Sequence, residues 1–230
     1  MEQQKQQNKK RKRPWILAGI LLILAIIIAV LVKWQWNNIM AVYYATSYSK
    51  EDLQKMQTEH ETVINELYHH VSQVDLSRLP EEAEKLLKKG ELPEETAVAI
   101  LTGKITWEDY LTNPELETNQ AEAASRVDDI IAQIYVLRST YVGKLDSLVA
   151  QAWGEYRSGG ISKADLIAKY VGIGYGLEGE CNGKIEGLLS ELSKELSRTG
   201  ADMSLVDAVR RTYYSEKSIK KAELIEKYQK

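Results

Sequence analysis

An uninterrupted apolar run near the N-terminus constrains this chain more than any other feature. Residues 15–32, "WILAGILLILAIIIAVLV", contain no charged or polar side chain. As a helix, the run is about 27 Å long, close to the roughly 30 Å hydrocarbon thickness of a bilayer. Trp15 opens the run, and Trp34 and Trp36 follow it, at positions where indole rings favour the headgroup region. The sequence therefore predicts a transmembrane anchor over residues 15–36.

A cleaved signal peptide is the main alternative to an anchor, because such peptides also begin with a basic segment. The run exceeds the roughly 7–15 apolar residues that are usual in those peptides. No small-x-small cleavage site follows it before Asn37. An uncleaved signal-anchor is therefore the favoured interpretation, with the lipid bilayer as its partner. Since no second apolar run of this length follows, we expect a single-pass membrane protein.

The distribution of charge predicts the orientation in the membrane. Residues 1–14 carry six Lys/Arg and one acidic residue, and Arg11, Lys12 and Arg13 flank the run directly. The positive-inside rule then places the N-terminus in the cytoplasm and the C-terminal domain in an extracytoplasmic location. Residues 34–230 carry 23 basic against 32 acidic residues. This balance argues against a nucleic-acid partner, which requires a basic face.

The rest of the chain shows helical patterns only. Prolines separate three short helical patterns over residues 75–118, and none occurs from Asn119 to Arg157. Apolar residues in that last stretch follow a heptad-like seam. They are Val127, Ile130, Ile134, Leu137, Tyr141, Leu145, Leu148 and Ala152. A second long helix is predicted from Lys163 to Thr199, and a last helix from Ser204.

These patterns predict an all-α protein. A single N-terminal transmembrane helix is followed by an elongated helical bundle built on a long antiparallel, coiled-coil-like hairpin. The predicted segments are a basic cytoplasmic tail (1–14), the anchor (15–36), a membrane-proximal helix (37–74), a short-helix subdomain (75–118), and the hairpin with a C-terminal helix (119–230).

Residues 170–189 contain six glycines, and Gly174, Gly176 and Gly179 have G-x-G-x-x-G spacing. A dinucleotide-binding fingerprint requires a strand before this motif, whereas a capped helical pattern precedes it here. The Walker A pattern fails at two of its required positions. The glycines therefore predict helix packing rather than phosphate binding.

Small residues recur at helical spacing on both long helices. They are Gly143, Ser147, Ala150 and Gly154 on the first helix, and Ala168, Gly172, Gly176, Gly179, Gly183 and Gly187 on the second. A turn at Gly159–Gly160 would set Gly143 beside Gly176 and Ser147 beside Gly172. We predict that the two stripes pack closely and offset the cost of about 1 kcal/mol per helical glycine. The alternative is a break in the second helix between Gly172 and Gly176.

The inventory of reactive side chains is small. The chain has three histidines, His60, His69 and His70, and a single cysteine, Cys181. Glu66 and His69 have the E-x-x-H spacing of di-iron bundles, but such a centre needs two of these pairs. One cysteine excludes the usual structural zinc sites. The sequence therefore predicts no catalytic residue, no cofactor and no metal site.

Anchor, helicity and absent catalytic motifs together favour a non-catalytic interaction or scaffold module at the cell envelope, with a protein partner at the membrane surface. The alternative is a ligand-binding sensor or regulatory module that works through a membrane partner. An enzyme of unrecognised type using scattered carboxylates is a further alternative. The pattern leaves the oligomeric state open.

Overall fold

The structure is a computed structural model that describes residues 38, 40–72, 74–114 and 126–229. All regular secondary structure in these ranges is helical, which confirms the predicted all-α class. The chain divides into two compact units, Met1–His60 with Arg211–Lys230, and Glu61–Arg210. We call them the terminal unit and the hairpin unit.

The helices follow the order that the sequence predicts. They are α1 (residues 40–47), α2 (Lys50–Val71), α3 (Glu81–Lys89), α4 (Glu94–Leu101), α5 (Trp107–Thr112), α6 (Arg126–Ser158), α7 (Lys163–Thr199) and α8 (Ser204–Gln229), with one 3-10 turn at Leu76–Arg78.

Local capping chemistry sets the helix ends. The amide of Asp165 donates to Ser162 Oγ at 3.2 Å at the start of α7. Thr106 and Asp109 form a complete capping box at the start of α5. Gly159 and Gly200 have φ values of 70° and 71°, in the left-handed region that glycine adopts without strain. These ends were predictable because caps are local features of the sequence.

In the terminal unit, Leu53 of α2 packs with Ile219 and Ala222 of α8. Tyr44, Ala45 and Met56 lie around these three buried residues. The amide of Ser49 donates to Asp52 Oδ2 at 3.1 Å, and the amide of Asp52 donates to Ser49 Oγ at 3.2 Å, which together form a capping box at the start of α2. This contact lowers the pKa of the Asp52 carboxyl, because hydrogen bonds from Ser49 favour its charged form.

In the hairpin unit, α6 and α7 form an antiparallel hairpin, and α3 and α4 pack against α6. The sequence analysis placed α3 and α4 in a separate subdomain over residues 75–118, whereas they share one compact unit with the hairpin. α7 is continuous from Lys163 to Thr199, so the alternative break between Gly172 and Gly176 is wrong. The predicted start of α6 near Asn119 lies outside the described residues, which resume at Arg126.

Candidate interaction surface

The contact between α6 and α7 is an apolar seam. On α6 it uses the predicted heptad positions, of which Ile130, Ile134, Leu137 and Tyr141 are buried. On α7 the buried residues follow the same three- and four-residue steps. They are Cys181, Ile185, Leu189, Leu192 and Leu196. Four of the eight predicted heptad positions on α6 are therefore buried, and the other four are partly exposed.

Ion pairs join the two helices at both ends of the seam. Lys169 Nζ lies 2.7 Å from Glu155 Oε1 near the turn, and Arg126 Nη2 lies 2.9 Å from Glu191 Oε2 at the other end. Between them, a Leu148 methyl group lies 3.9 Å from the position that a Cβ on Gly174 would take. The antiparallel alignment is thus within one helical turn of the predicted one.

The rotation of α7 about its axis differs from the prediction. We call the residues Ala168, Gly172, Gly176, Gly179, Gly183 and Gly187 the glycine face. All six are exposed, and among the described residues a Cβ added at any of the five glycines would meet nothing within 4 Å. The predicted packing of this face against α6 is therefore wrong.

Burial of large side chains explains the difference. The seam residues of α7 are offset from the glycine face by two positions, or about 200° around a helix. Only one of the two faces can therefore point at α6. Burying a leucine or isoleucine contributes roughly 1.5–3 kcal/mol, more than close contact between glycines can supply. α7 therefore turns its large apolar side chains, rather than its glycines, toward α6.

Gly143 is the one predicted packing glycine that does meet another helix closely. Its neighbour is α3 rather than α7: an added Cβ would lie 2.6 Å from the Cα of Lys88 and would overlap its carbonyl oxygen. The other small residues of α6 at the predicted positions, Ser147, Ala150 and Gly154, are exposed. The stripe on α6 is therefore covered only where α3 lies on it.

Exposed apolar side chains flank the glycine face. Val171, Ile173 and Tyr175 are all exposed, and Tyr175 retains 55% of its accessible surface. Trp153 and Tyr156 are exposed on α6, with their ring centroids 5.8 Å apart. Contiguous exposed apolar patches often mark interaction sites, whereas exposed apolar residues that stand singly are normal. The sequence analysis missed these residues, although the uncharged run "YVGIGYGL" was a usable signal.

Tyr141 marks the middle of the hairpin, where lysines from both helices approach its ring. Lys144 Nζ lies 4.5 Å and Lys184 Nζ 5.5 Å from the ring centroid. Burial raises the pKa of Tyr141 to about 12, and the nearby Glu180 carboxylate acts in the same direction. The phenol therefore remains neutral under ordinary conditions and acts as part of the seam.

A cleft lies between α7 and the first turns of α8, all within the hairpin unit. Its volume is about 490 Å³, and its lining comprises Glu186, Leu189, Ser190, Ser193, Lys194, Met203, Val206, Asp207 and Arg210. Arg210 bridges the two helices, with Nη2 3.1 Å from Glu186 Oε2 and Nη1 3.1 Å from Asp207 Oδ1. The cleft presents both charge signs and two hydroxyl groups.

The predicted anchor over residues 15–36 lies outside the described residues, as do its flanking residues. These are Arg11, Lys12, Arg13, Trp15, Trp34 and Trp36. Within the described ranges, no helix is long and apolar enough to cross a membrane. The same ranges contain no group of three or more His, Cys, Asp or Glu side chains placed to hold a metal ion.

Comparisons of the chain with protein-family models, curated proteins and solved structures give no match. The candidate interaction surface is therefore defined by the structure alone. It consists of the exposed glycine face of α7, the exposed apolar residues beside it, and the acidic and basic side chains of the same helix.

Proposed function

We propose that this chain is a single-pass, membrane-anchored, extracytoplasmic protein that acts as a non-catalytic interaction or scaffold module. The anchor is the apolar run over residues 15–36, with its N-terminus in the cytoplasm. The interaction surface is the glycine face of α7 with its flanks at Val171, Ile173 and Tyr175.

The exposed glycine face is the observation that carries this proposal. A glycine inside a helix costs about 1 kcal/mol relative to alanine, and this face holds five of them on one helix. Contacts within the described chain do not offset this cost, since an added Cβ would meet nothing there within 4 Å. A partner helix that approaches closely would use the space that a Cβ would otherwise fill.

Topology is the first part of the proposal to test. A cysteine replaces Lys230 in a Cys181→Ser background, and intact cells are treated with a membrane-impermeant maleimide. We expect labelling without lysis, because the positive-inside rule places the C-terminal domain outside. Labelling that requires lysis would place the domain in the cytoplasm and contradict the proposed location.

Partner engagement is the second part. Tyr175→Cys in the Cys181→Ser background is labelled in its native membranes and again as dilute purified protein. We expect slower labelling in the membranes, because a partner covers Tyr175 there. Gln151→Cys, at an exposed α6 position, is the control and should label at the same rate in both samples. Equal rates for Tyr175→Cys would contradict the proposed surface.

The cleft between α7 and α8 favours a second candidate function, a regulatory module that binds a small charged ligand. Inorganic phosphate and free amino acids, at millimolar concentration, are suitable probes of Arg210 and Lys194. A rise in melting temperature that Arg210→Gln abolishes would support this function. Arg198→Gln is the matched control, since within the described residues Arg198 pairs along its own helix, with Glu195 at 2.9 Å.

A further inference from the structure

We infer that the partner of the glycine face is a second copy of this chain, with the two α7 helices packed antiparallel about a two-fold axis near Gly174. This inference rests on the proposed function, because it names the occupant of the same surface. It commits to one arrangement of residues, which the charges and the shape of α7 determine.

The shape of α7 permits close approach. The helix is continuous for 37 residues, and a Cβ added at any glycine of the glycine face would meet no described residue within 4 Å. Helix axes usually lie about 8–10 Å apart, and small residues on both helices allow the lower end of that range. An antiparallel pair that sets Gly172 opposite Gly176 of the second copy also brings Ala168 to within one residue of Gly179 of that copy. Small residues then face each other along the centre of the contact.

The charges on α7 determine the direction of the pair. The same antiparallel alignment brings Lys169 to within one residue of Glu180 of the second copy. It likewise brings Asp165 to within one residue of Lys184 of the second copy. A parallel, in-register alignment would place each of these charges opposite its own like charge, which is destabilising. The charges on α7 therefore favour an antiparallel pair, in which the same surface of both copies forms the two-fold contact.

These charged groups remain accessible beside the glycine face. Lys169 pairs with Glu155 of its own chain, and Lys184 Nζ lies 3.1 Å from Glu180 Oε1. Each of these side chains is still 40–49% exposed. These charged groups can therefore form ion pairs with the second copy without any change in the fold to expose them.

The apolar flanks fit the same alignment. Tyr175 of one copy comes level with Ile173 of the other, and both side chains are exposed in the described chain. An anionic lipid surface fits this face less well, because its two acids and two lysines balance and provide no net positive charge. A second copy therefore satisfies steric, apolar and electrostatic requirements together.

The test uses the full chain purified in detergent, with its protein mass measured by light scattering and sedimentation over a concentration series. We expect a dimer whose dissociation constant rises at least tenfold in Gly176→Leu. Gly154→Leu is the matched control, because Gly154 is also an open helical glycine of the hairpin, on α6. Its dissociation constant should be unchanged. Circular dichroism should show both variants folded, since neither site has a described neighbour within 4 Å.

Disulfide trapping tests the alignment. Gly172→Cys and Gly176→Cys, each in the Cys181→Ser background, are expressed separately and together. We expect the mixed pair to cross-link faster than either variant alone, because only the mixed pair comes level in the antiparallel arrangement. Cross-linking that is fastest within each single variant would indicate a parallel pair and would overturn the inference.

A monomer at all concentrations, or a dimer that Gly176→Leu does not weaken, would also overturn it. The protection of Tyr175→Cys in native membranes then separates two conclusions. If protection persists while the purified chain is monomeric, the interaction function stands with a different partner. If protection is absent as well, the interaction function fails together with the inference.

Discussion

The two long helices of the hairpin carry the same kind of small-residue stripe and use it in opposite ways. On α6 the stripe meets α3 at Gly143, where the Lys88 backbone occupies the space of a Cβ. On α7 the stripe is the exposed glycine face. A pattern of small residues therefore allows close approach but does not determine whether another helix makes that approach.

Among the substitutions that test this comparison, Gly143→Ala should have the largest effect on stability. The added methyl group would overlap the backbone of Lys88, which cannot rotate away as a side chain can. We expect a loss of about 1–3 kcal/mol in the free energy of unfolding, the usual range for overpacking. Urea unfolding followed by circular dichroism measures it. An unchanged or raised stability would mean that α3 does not lie on Gly143.

The ion pairs of the hairpin unit should also differ in how much they stabilise the fold. A pair covered by neighbouring elements should contribute more than an exposed pair. Lys104 Nζ lies 2.8 Å from Asp129 Oδ1 on α6, and both side chains are mostly buried, at 23% and 24% exposure. We expect Lys104→Met to reduce the free energy of unfolding by about 1 kcal/mol, because it leaves a partly buried carboxylate unpaired.

Arg126→Gln, at the exposed pair with Glu191, is the control for Lys104→Met. It should change the free energy of unfolding by less than about 0.5 kcal/mol, since exposed pairs contribute little. If Lys104→Met and Arg126→Gln lowered the free energy of unfolding equally, the packing of α3 and α4 on α6 would not explain a difference between the two ion pairs.

Gly183→Ala tests the glycine face itself. Since an added Cβ has no described neighbour within 4 Å, alanine should stabilise the monomer through helix propensity alone. We expect a gain of about 1 kcal/mol in the free energy of unfolding, measured by urea unfolding at protein concentrations too low for association. Gly154→Ala on α6 should give a similar gain. A loss at Gly183 would mean that this face is buried within the chain.

Tyr141 gives an effect with no consequence near neutral pH, a pH dependence of stability that appears only at high pH. Burial raises the pKa of its phenol to about 12, above the ordinary value of about 10 for tyrosine. Its contribution is therefore fully present below about pH 10 and is lost as the pH rises toward 12. Ultraviolet titration should show that Tyr141→Phe removes absorbance change near pH 12. Loss of absorbance change near pH 10 instead would contradict burial of Tyr141 in the seam.

Much of the fold was predictable because the signals are local. Local patterns predicted the bounds of α7 at Lys163 and Thr199, the heptad-like seam of α6 and the antiparallel hairpin. The rotation of α7 was not predictable in the same way. It depends on a competition between the seam around Ile185 and Leu189 and the glycine face, which side-chain burial decides only once α6 is in place.

The packing of α3 on Gly143 of α6 was also not predicted from the sequence. Nothing local to Gly143 indicates that Lys88, 55 positions earlier, would lie against it. The exposed residues Val171, Ile173 and Tyr175 were missed for a related reason. An apolar residue in an uncharged helical run is expected in a core until the positions of the neighbouring helices are known.

The most direct test of the orientation of α7 compares thiol reactivity at adjacent positions of one helix. Cys181 lies in the seam and is buried, whereas Gly179 and Gly183, two residues to either side, lie on the glycine face. The native chain is compared with Gly179→Cys and Gly183→Cys, each in the Cys181→Ser background, at concentrations too low for association. We expect Cys181 to react with a thiol reagent at least about tenfold more slowly than either introduced cysteine, because burial protects it. A fast Cys181 with slow cysteines at 179 and 183 would mean that the glycine face packs on α6, and would contradict the exposed surface on which the proposed function depends.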